Sequence, residues 1–431
     1  MKKTVLAFAL ICAALPAQTV PVATGLPSHP FFIRATWYIG AAGNWDYLTM
    51  DSQAGRLYIA HGTVVQVVDV SSGNLVGEIT GFYEARQVAL DDTGQFGYVS
   101  DGGLGKVVIF DRQTLKRTAE IDTGGNPRSL IFDPLTRLLF VVRANPPAEG
   151  PGEPASRRRP PGREGPPVEV TTQSKVTVID TQSETAIGEI TLPGLLGFAV
   201  EDENSQVFIA STDRNAVFRF DAQAVAALMR LQPEGGNGAT PPESGNGPTP
   251  PEGPAPTPAK AATPGIAIDW TGGAHAGNPA EGHLRIFNLS PECAEPRSLA
   301  IDNAHLRLFA ACNNRRLLVL NADTGDKLAS LPIGPGVDAV GYDPDHGLIF
   351  TANGGAEGSL TIIRQDVTDS YAVIQTLPTR QRASTLAVDP ASDAVYLVTD
   401  YLGVNLDHPG GIGTLVQTPV KGSFQVLKIA N

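Results

Sequence analysis

Several things are scarce or missing in this chain of 431 residues, and each limits what it can be. No C-x-x-C-H run occurs, so covalent c-type haem is not expected. No G-x-S-x-G run occurs either, which removes the nucleophile elbow of the α/β-hydrolases. Basic residues are outnumbered, 32 Lys and Arg against 44 Asp and Glu, for a formal net charge of −12. Such a surface disfavours nucleic acid, whose phosphates need cations to neutralise them. Aromatic residues are few, at 6%, while Gly (46) and Pro (35) are plentiful. That balance suits a turn-rich all-β chain carrying disordered insertions. Apart from the first 17 residues there is no long apolar run, so no membrane span is expected in the mature chain.

Those first residues, MKKTVLAFALICAALPA, describe a secretory leader: two lysines, a short apolar run and a small-residue end. Cleavage after Ala17 would leave a mature chain from Gln18, placed in the periplasm or outside the cell. Cys12 lies inside the apolar run after Ile11, which does not suit a lipid-modified cysteine. Residues 18–30 read as an N-terminal segment before the folded region.

What the chain has in abundance is a repeated phrase. VVQVVDVSSGNLVGEITGF (64–82), KVTVIDTQSETAIGEITLPG (175–194) and LLVLNADTGDKLASLPIGPG (317–336) are versions of one text. An alternating apolar run, an Asp or Asn, a polar turn and a second alternating run make an antiparallel hairpin. Each hairpin follows another pair of runs, marked by an acid, six residues, then Tyr or Phe. This marker falls at Asp51/Tyr58, Asp91/Tyr98, Asp133/Phe140, Glu201/Phe208, Asp302/Phe309, Asp343/Phe350 and Asp389/Tyr396. The shortest spacings are about 41 residues, the length of a four-stranded propeller blade. Two longer spacings contain Pro- and Gly-rich tracts, at about 145–173 and 233–265, which read as disordered insertions. The fourth repeat leaves its outer strand open between 224–231 and 283–289. The last repeat lacks a fourth strand, whereas residues 31–42 look like a strand without a blade. The expectation is an all-β, seven-bladed β-propeller over residues 31–431, with four-stranded blades and the last blade closed by the N-terminal strand.

The runs RLYIAHGTVVQVVDVSSGNLVGEI and QFGYVSDGGLGKVVIFDRQTLKRTAEI resemble the YVTN-type, YncE-like β-propeller repeat family. PECAEPRSLAIDNAHLRLFAACNN resembles an exported bacterial branch of it. The tetrad that names the family is worn, reading YIAH, YVSD, FVVR, FIAS, FAAC, FTAN and YLVT. The resemblance implies the fold and a place outside the cytoplasm. It implies little about activity, because propellers serve many functions.

Within the repeat the aromatic is constant and two positions vary. Three places after it stand His61, Asp101, Arg143, Ser211, Cys312, Asn353 and Thr399. Five places before each acid stand Asp46, Arg86, Arg128, Leu196, Arg297, Asp338 and Ser384. Both sets belong at one end of the ring, around the mouth of a central channel. Arg86, Arg128 and Arg297 set against Asp46 and Asp338 suit a carboxylate, phosphate or uronate, which guanidinium binds bidentately. The competing account is that these charges pair across repeats and only hold the ring.

The expected function is a ligand-binding or protein-interaction module working as a monomer through this mouth. Its partner would be an anionic small molecule or a protein. Asn353 is counted with the ligand-binding set. An enzyme of lactonase or lyase type is the rival, with His61 and Asp46 or Asp101 as its acid–base pair. A structural scaffold of the cell envelope is a third reading. His61, Asp46, Asp101 and Asn353 would also offer donors to Ca²⁺, although no spacing demands it. GGLG (102–105) and GGIG (410–413) precede no helix and are turns, and RRRPPGR (157–163) is a solvated basic tract. Outside the leader only Cys293 and Cys312 remain. One precedes the first strand of the fifth repeat and the other ends its second, so antiparallel pairing brings them within reach of a disulfide.

Overall fold

The computed structural model describes residues 29–40, 44–144, 172–230, 266–270, 283–366, 369–405 and 416–431. The expected leader lies outside them, as do the two expected insertions apart from their edge at 172–173. The architecture is all-β with one helix among the described residues.

Strands form where the alternation predicts them. In Arg56–Asp69 and Lys106–Asp111 the apolar residues are buried, and an Asp closes each run. Asp69 and Asp111 then accept bonds from the backbone amides two and three residues on, which shapes the hairpin turn. The Ser71 hydroxyl, with the Ser72 amide, holds the Asp69 carboxyl down at about 2, and the Thr114 amide holds Asp111 below the usual range.

The blade count differs from the sequence expectation. The described residues form six sheets of four to six strands and one two-stranded ribbon, so the structure has six blades and not seven. The cause is Leu75–Leu90, one strand of 16 residues. Its first half pairs with Arg56–Asp69, as in Val64↔Thr80, and its second half with Phe96–Asp101, as in Val88↔Val99. Elsewhere the step between repeats is broken by TGGNP, LPG or IGPG. Here the stretch TGFYEAR (80–86) has no proline and only Gly81, so hydrogen bonding runs through. The first two repeat copies therefore share a six-stranded sheet. The expected closure changes with the count. Phe32–Tyr38 is the outer edge strand of a sheet with Gln425–Ala430, Ala394–Thr399 and Leu386–Asp389, in register from Phe32↔Ala430 to Tyr38↔Gln425. No separate seventh blade stands there for it to close.

The outer strand of the fourth repeat is Leu284–Asn288, antiparallel to Ala216–Asp221. The alternative position is a helix, Ala222–Arg230. Asp221 caps it by accepting from the amides of Gln223 (2.7 Å) and Ala224 (3.1 Å). Val225, Ala226 and Met229 lie on its buried face. An unforeseen strand, Ile266–Asp269, adds in parallel to Thr185–Pro193, and Trp270 is buried against Phe220, with ring centroids 5.5 Å apart. Cys293 and Cys312 form the expected disulfide, with Cα atoms 5.4 Å apart.

The first strands of successive repeats pack side by side around a central channel, the last, Leu386–Asp389, returning against Leu48–Asp51. Side chains tie several of these strands together. Thr49 donates to the Val88 carbonyl at 2.7 Å, and Gln87 accepts from the Leu130 amide at 3.1 Å. Ser129 accepts from Ala199 at 3.3 Å and Ser298 from Val340 at 3.2 Å. These bonds fix the strand ends on which the channel mouth is built.

Candidate functional site

Five of the seven variable residues five places before a repeat acid lie at an irregularity in the ladder, while Asp46 and Ser384 stand two residues before the strands Leu48–Asp51 and Leu386–Asp389. Register shifts fall between Ala85 and Val88, Pro127 and Ser129, Leu196 and Ala199, Pro296 and Ser298, and Val337 and Ala339. A bulge leaves a residue out of the ladder and re-aims its side chain. Arg86, Arg128, Arg297 and Asp338 are such residues. The ladder resumes at Val88, Ser129, Ser298 and Ala339.

Asp46, Arg128, Leu196, Arg297, Asp338 and Ser384 thereby line one cavity of about 440 Å³. Sequence reasoning missed the six other lining residues, Trp45, Tyr47, Leu195, Gly197, Thr212 and Thr385. The flanking aromatics at 45 and 47 were the available signal. Tyr47 is held by its amide on the Arg86 carbonyl (3.1 Å), and its ring packs tilted against Phe198, centroids 4.9 Å apart. Burial, with Asp46 alongside, pushes its phenol well above the usual range.

The charges at the mouth are not equivalent. Arg86 bridges Asp46 (3.0 Å) and Glu84 (2.6 Å). Burial raises the Asp46 carboxyl against the opposing pull of Arg86. Arg297 pairs with Glu295 at 2.9 Å. Arg128 and Asp338 are exposed and make no ion pair with described residues. The cavity thus holds one guanidinium and one carboxylate that are free to meet a ligand.

The second variable set is mostly turned to other work. Asp101 is fully buried and accepts from the amides of Tyr83, Glu84, Gly103 and Leu104 at 2.9–3.2 Å. It fastens the turn at residues 102–105 to the strand Leu75–Leu90. Asn353 is fully buried and donates to the Thr351 carbonyl and the Thr361 hydroxyl, both at 3.0 Å. His61 is 2% exposed, lies 4.0 Å from the Phe424 ring by centroid, and has Nδ1 3.0 Å from Gln66 Oε1. Of the four donors expected to serve Ca²⁺, only Asp46 lines the cavity. Arg143 pairs with Glu189 and donates to the Gly124 carbonyl at 2.9 Å. Arginine at this position is therefore used within its own sheet.

No protein-family model and no curated protein matches the sequence. Solved structures do. The chain is similar to one titled "Crystal structure of RRP9 WD40 repeats", at 11% identity and a TM-score of 0.58, over 94% of this chain and 98% of that one. It is similar to "Structure of U3-55K" at 10% identity and 0.57, over 94% and 99%. It is also similar to a chain of "Crystal Structure of Mitotic Checkpoint Complex" at 13% and 0.57, over 92% and 96%. At such identities the likeness shows the β-propeller fold, and it does not reach the YVTN-type family.

Proposed function

We propose that this propeller is an interaction module whose mouth cavity receives an acidic segment of a protein partner. The observation that carries the reading is Arg128, an exposed guanidinium in no ion pair among the described residues, lining a concave site with Trp45 and Tyr47. Arginine and aromatic residues in one recess are the side chains that dominate binding energy at protein interfaces. Leu195 (37% exposed) also lines the cavity, an apolar contact that a small anion would not use. Asp338 suits a basic residue neighbouring the partner's acid. Looser support comes from one similar structure being that of a complex.

A thermal-shift and calorimetric screen tests this, using acidic and mixed-charge peptides beside free carboxylates, phosphates, uronates and lactones. Peptide binding that is lost in Arg128→Ala and weakened by salt is expected, since an exposed contact is screened. Binding of a free anion with no peptide response would move the reading to a small-molecule receptor. Lactone turnover lost in His61→Ala would replace it with an enzyme.

A further inference from the structure

Two neighbouring repeats carry the same Asp-x-x-His spacing, Asp302/His305 and Asp343/His346. In each the imidazole Nδ1 faces the acid's Oδ2, at 2.8 and 3.0 Å. Both histidines border a cavity of about 370 Å³, on which Arg307, Tyr342 and Gln365 also open. The two pairs then part company. Beside His305, Arg307 grips Asp369 with two nitrogens, so a cation already occupies that side. Beside His346, the neighbouring sheet supplies another carboxylate: Asp393 Oδ1 is 3.4 Å from His346 Nδ1. The donor atoms of Asp343, His346 and Asp393 all lie within 4.8 Å of one another.

We propose that Asp343, His346 and Asp393 form a binding site for a zinc-class divalent cation, joining two sheets at the edge of this cavity. An ion about 2.1 Å from each donor separates neighbouring donors by roughly 3.0 Å in octahedral and 3.4 Å in tetrahedral coordination. The two spacings at His346 match those edges, and the Asp343 and Asp393 oxygens, within 4.8 Å of each other, would draw together on the ion. The donors are also held. The Asp343 side chain is 4% exposed, and its Oδ1 accepts from the Asp345 amide at 3.0 Å. Asp393 sits in a left-handed turn (φ 52°) directly after the short 3-10 turn Pro390–Ser392. Outer hydrogen bonds of this kind orient metal ligands. One imidazole with two carboxylates favours Zn²⁺, Ni²⁺ or Cu²⁺ over Mg²⁺ and Ca²⁺, which prefer all-oxygen shells. On binding, Nδ1 gives its lone pair to the ion, and the proton it shared with Asp343 moves to Nε2 or to water. The corresponding position of the last repeat is Ser392, so the site is not a general feature of the repeat.

The test is titration calorimetry on untagged, metal-stripped full-length protein with ZnCl₂, NiCl₂ and CaCl₂. One Zn²⁺ per chain is expected, with no CaCl₂ competition. Losing an outer partner costs metal sites about 10–100-fold, so His346→Ala should weaken Zn²⁺ binding by more than tenfold. Asp393→Asn, a near-isosteric change in an exposed turn, should do the same without disturbing the fold. His29→Ala should leave the titration unchanged. Zn²⁺ binding of equal strength in His346→Ala and Asp393→Asn overturns the proposal, and so does a wild-type chain that takes up no Zn²⁺.

Discussion

Arg112 gives the sharpest test of how the six-stranded sheet is held. Its side chain reaches two repeat acids at once, Asp51 through Nη2 and Asp91 through Nη1 (3.4 Å), and Nη1 also donates to the Asp91 carbonyl at 3.0 Å. All three residues are buried, at 7%, 5% and 5% exposure. Arg112→Met fills much of the same volume but leaves two buried carboxylates without their cation. Breaking a buried pair this way costs about 3–5 kcal/mol, whereas an exposed pair costs at most about 1. Urea denaturation of the wild type and Arg112→Met, followed by far-UV circular dichroism, reads the difference as a shifted midpoint at constant slope. Adding Asp51→Asn and Asp91→Asn to Arg112→Met should recover much of the loss, because the penalty lies in the stranded charges. A loss below about 1 kcal/mol, or a triple variant no better than the single one, would refute the reasoning.

Two further outcomes follow from buried groups. Burial first, then the nearby charges of Asp133, Asp202 and Glu203, push Glu201 up to about 8, and its Oε2 has no hydrogen-bond partner. Between the ordinary value of 4.5 and about 8 the folded chain holds a proton that the unfolded chain has lost. Stability should therefore fall as pH rises through that window, by about 2–3 kcal/mol once solvent screening is allowed for. Melts from pH 5 to 9 should show a flatter profile for Glu201→Gln than for the wild type, and parallel profiles would contradict this. The disulfide Cys293–Cys312 closes a loop with a sequence separation of 19, so the double alanine variant should lose about 3 kcal/mol. An unchanged denaturation midpoint would show that the loop is already constrained without it.

The propeller was legible because its signal is periodic. The acid–aromatic marker recurs whatever happens between copies, and the cysteine pair followed from strand direction. The blade count was not legible. It depends on whether hydrogen bonding crosses residues 80–86, where the usual breakers are missing but nothing positively marks continuity. The strand Ile266–Asp269 escaped notice because its IAID alternation is short and directly follows a Pro-Gly tract. At the mouth, comparison of repeat copies picked out Asp46, Arg128, Arg297 and Asp338, which meet in one cavity. Its competing account holds for Arg86, which pairs with Asp46, but it did not reveal the partners Glu84 and Glu295, which lie outside the compared positions, nor that Arg128 makes no ion pair among the described residues. It also could not foresee the bulges, which are properties of a ladder between two strands. Asp393 reaches His346 only across two sheets, so the spacing Asp-x-x-His alone concealed it.

The central claim is that the mouth cavity recognises an acidic protein segment through Arg128. Its most direct measurement is the affinity of an acidic peptide, selected on the wild type, for Arg128→Ala and for Arg285→Ala, a change on the outer strand Leu284–Asn288. The account predicts at least a tenfold loss in Arg128→Ala, about 1.4 kcal/mol or more, and no change in Arg285→Ala. Equal affinity in the wild type and both variants would contradict it.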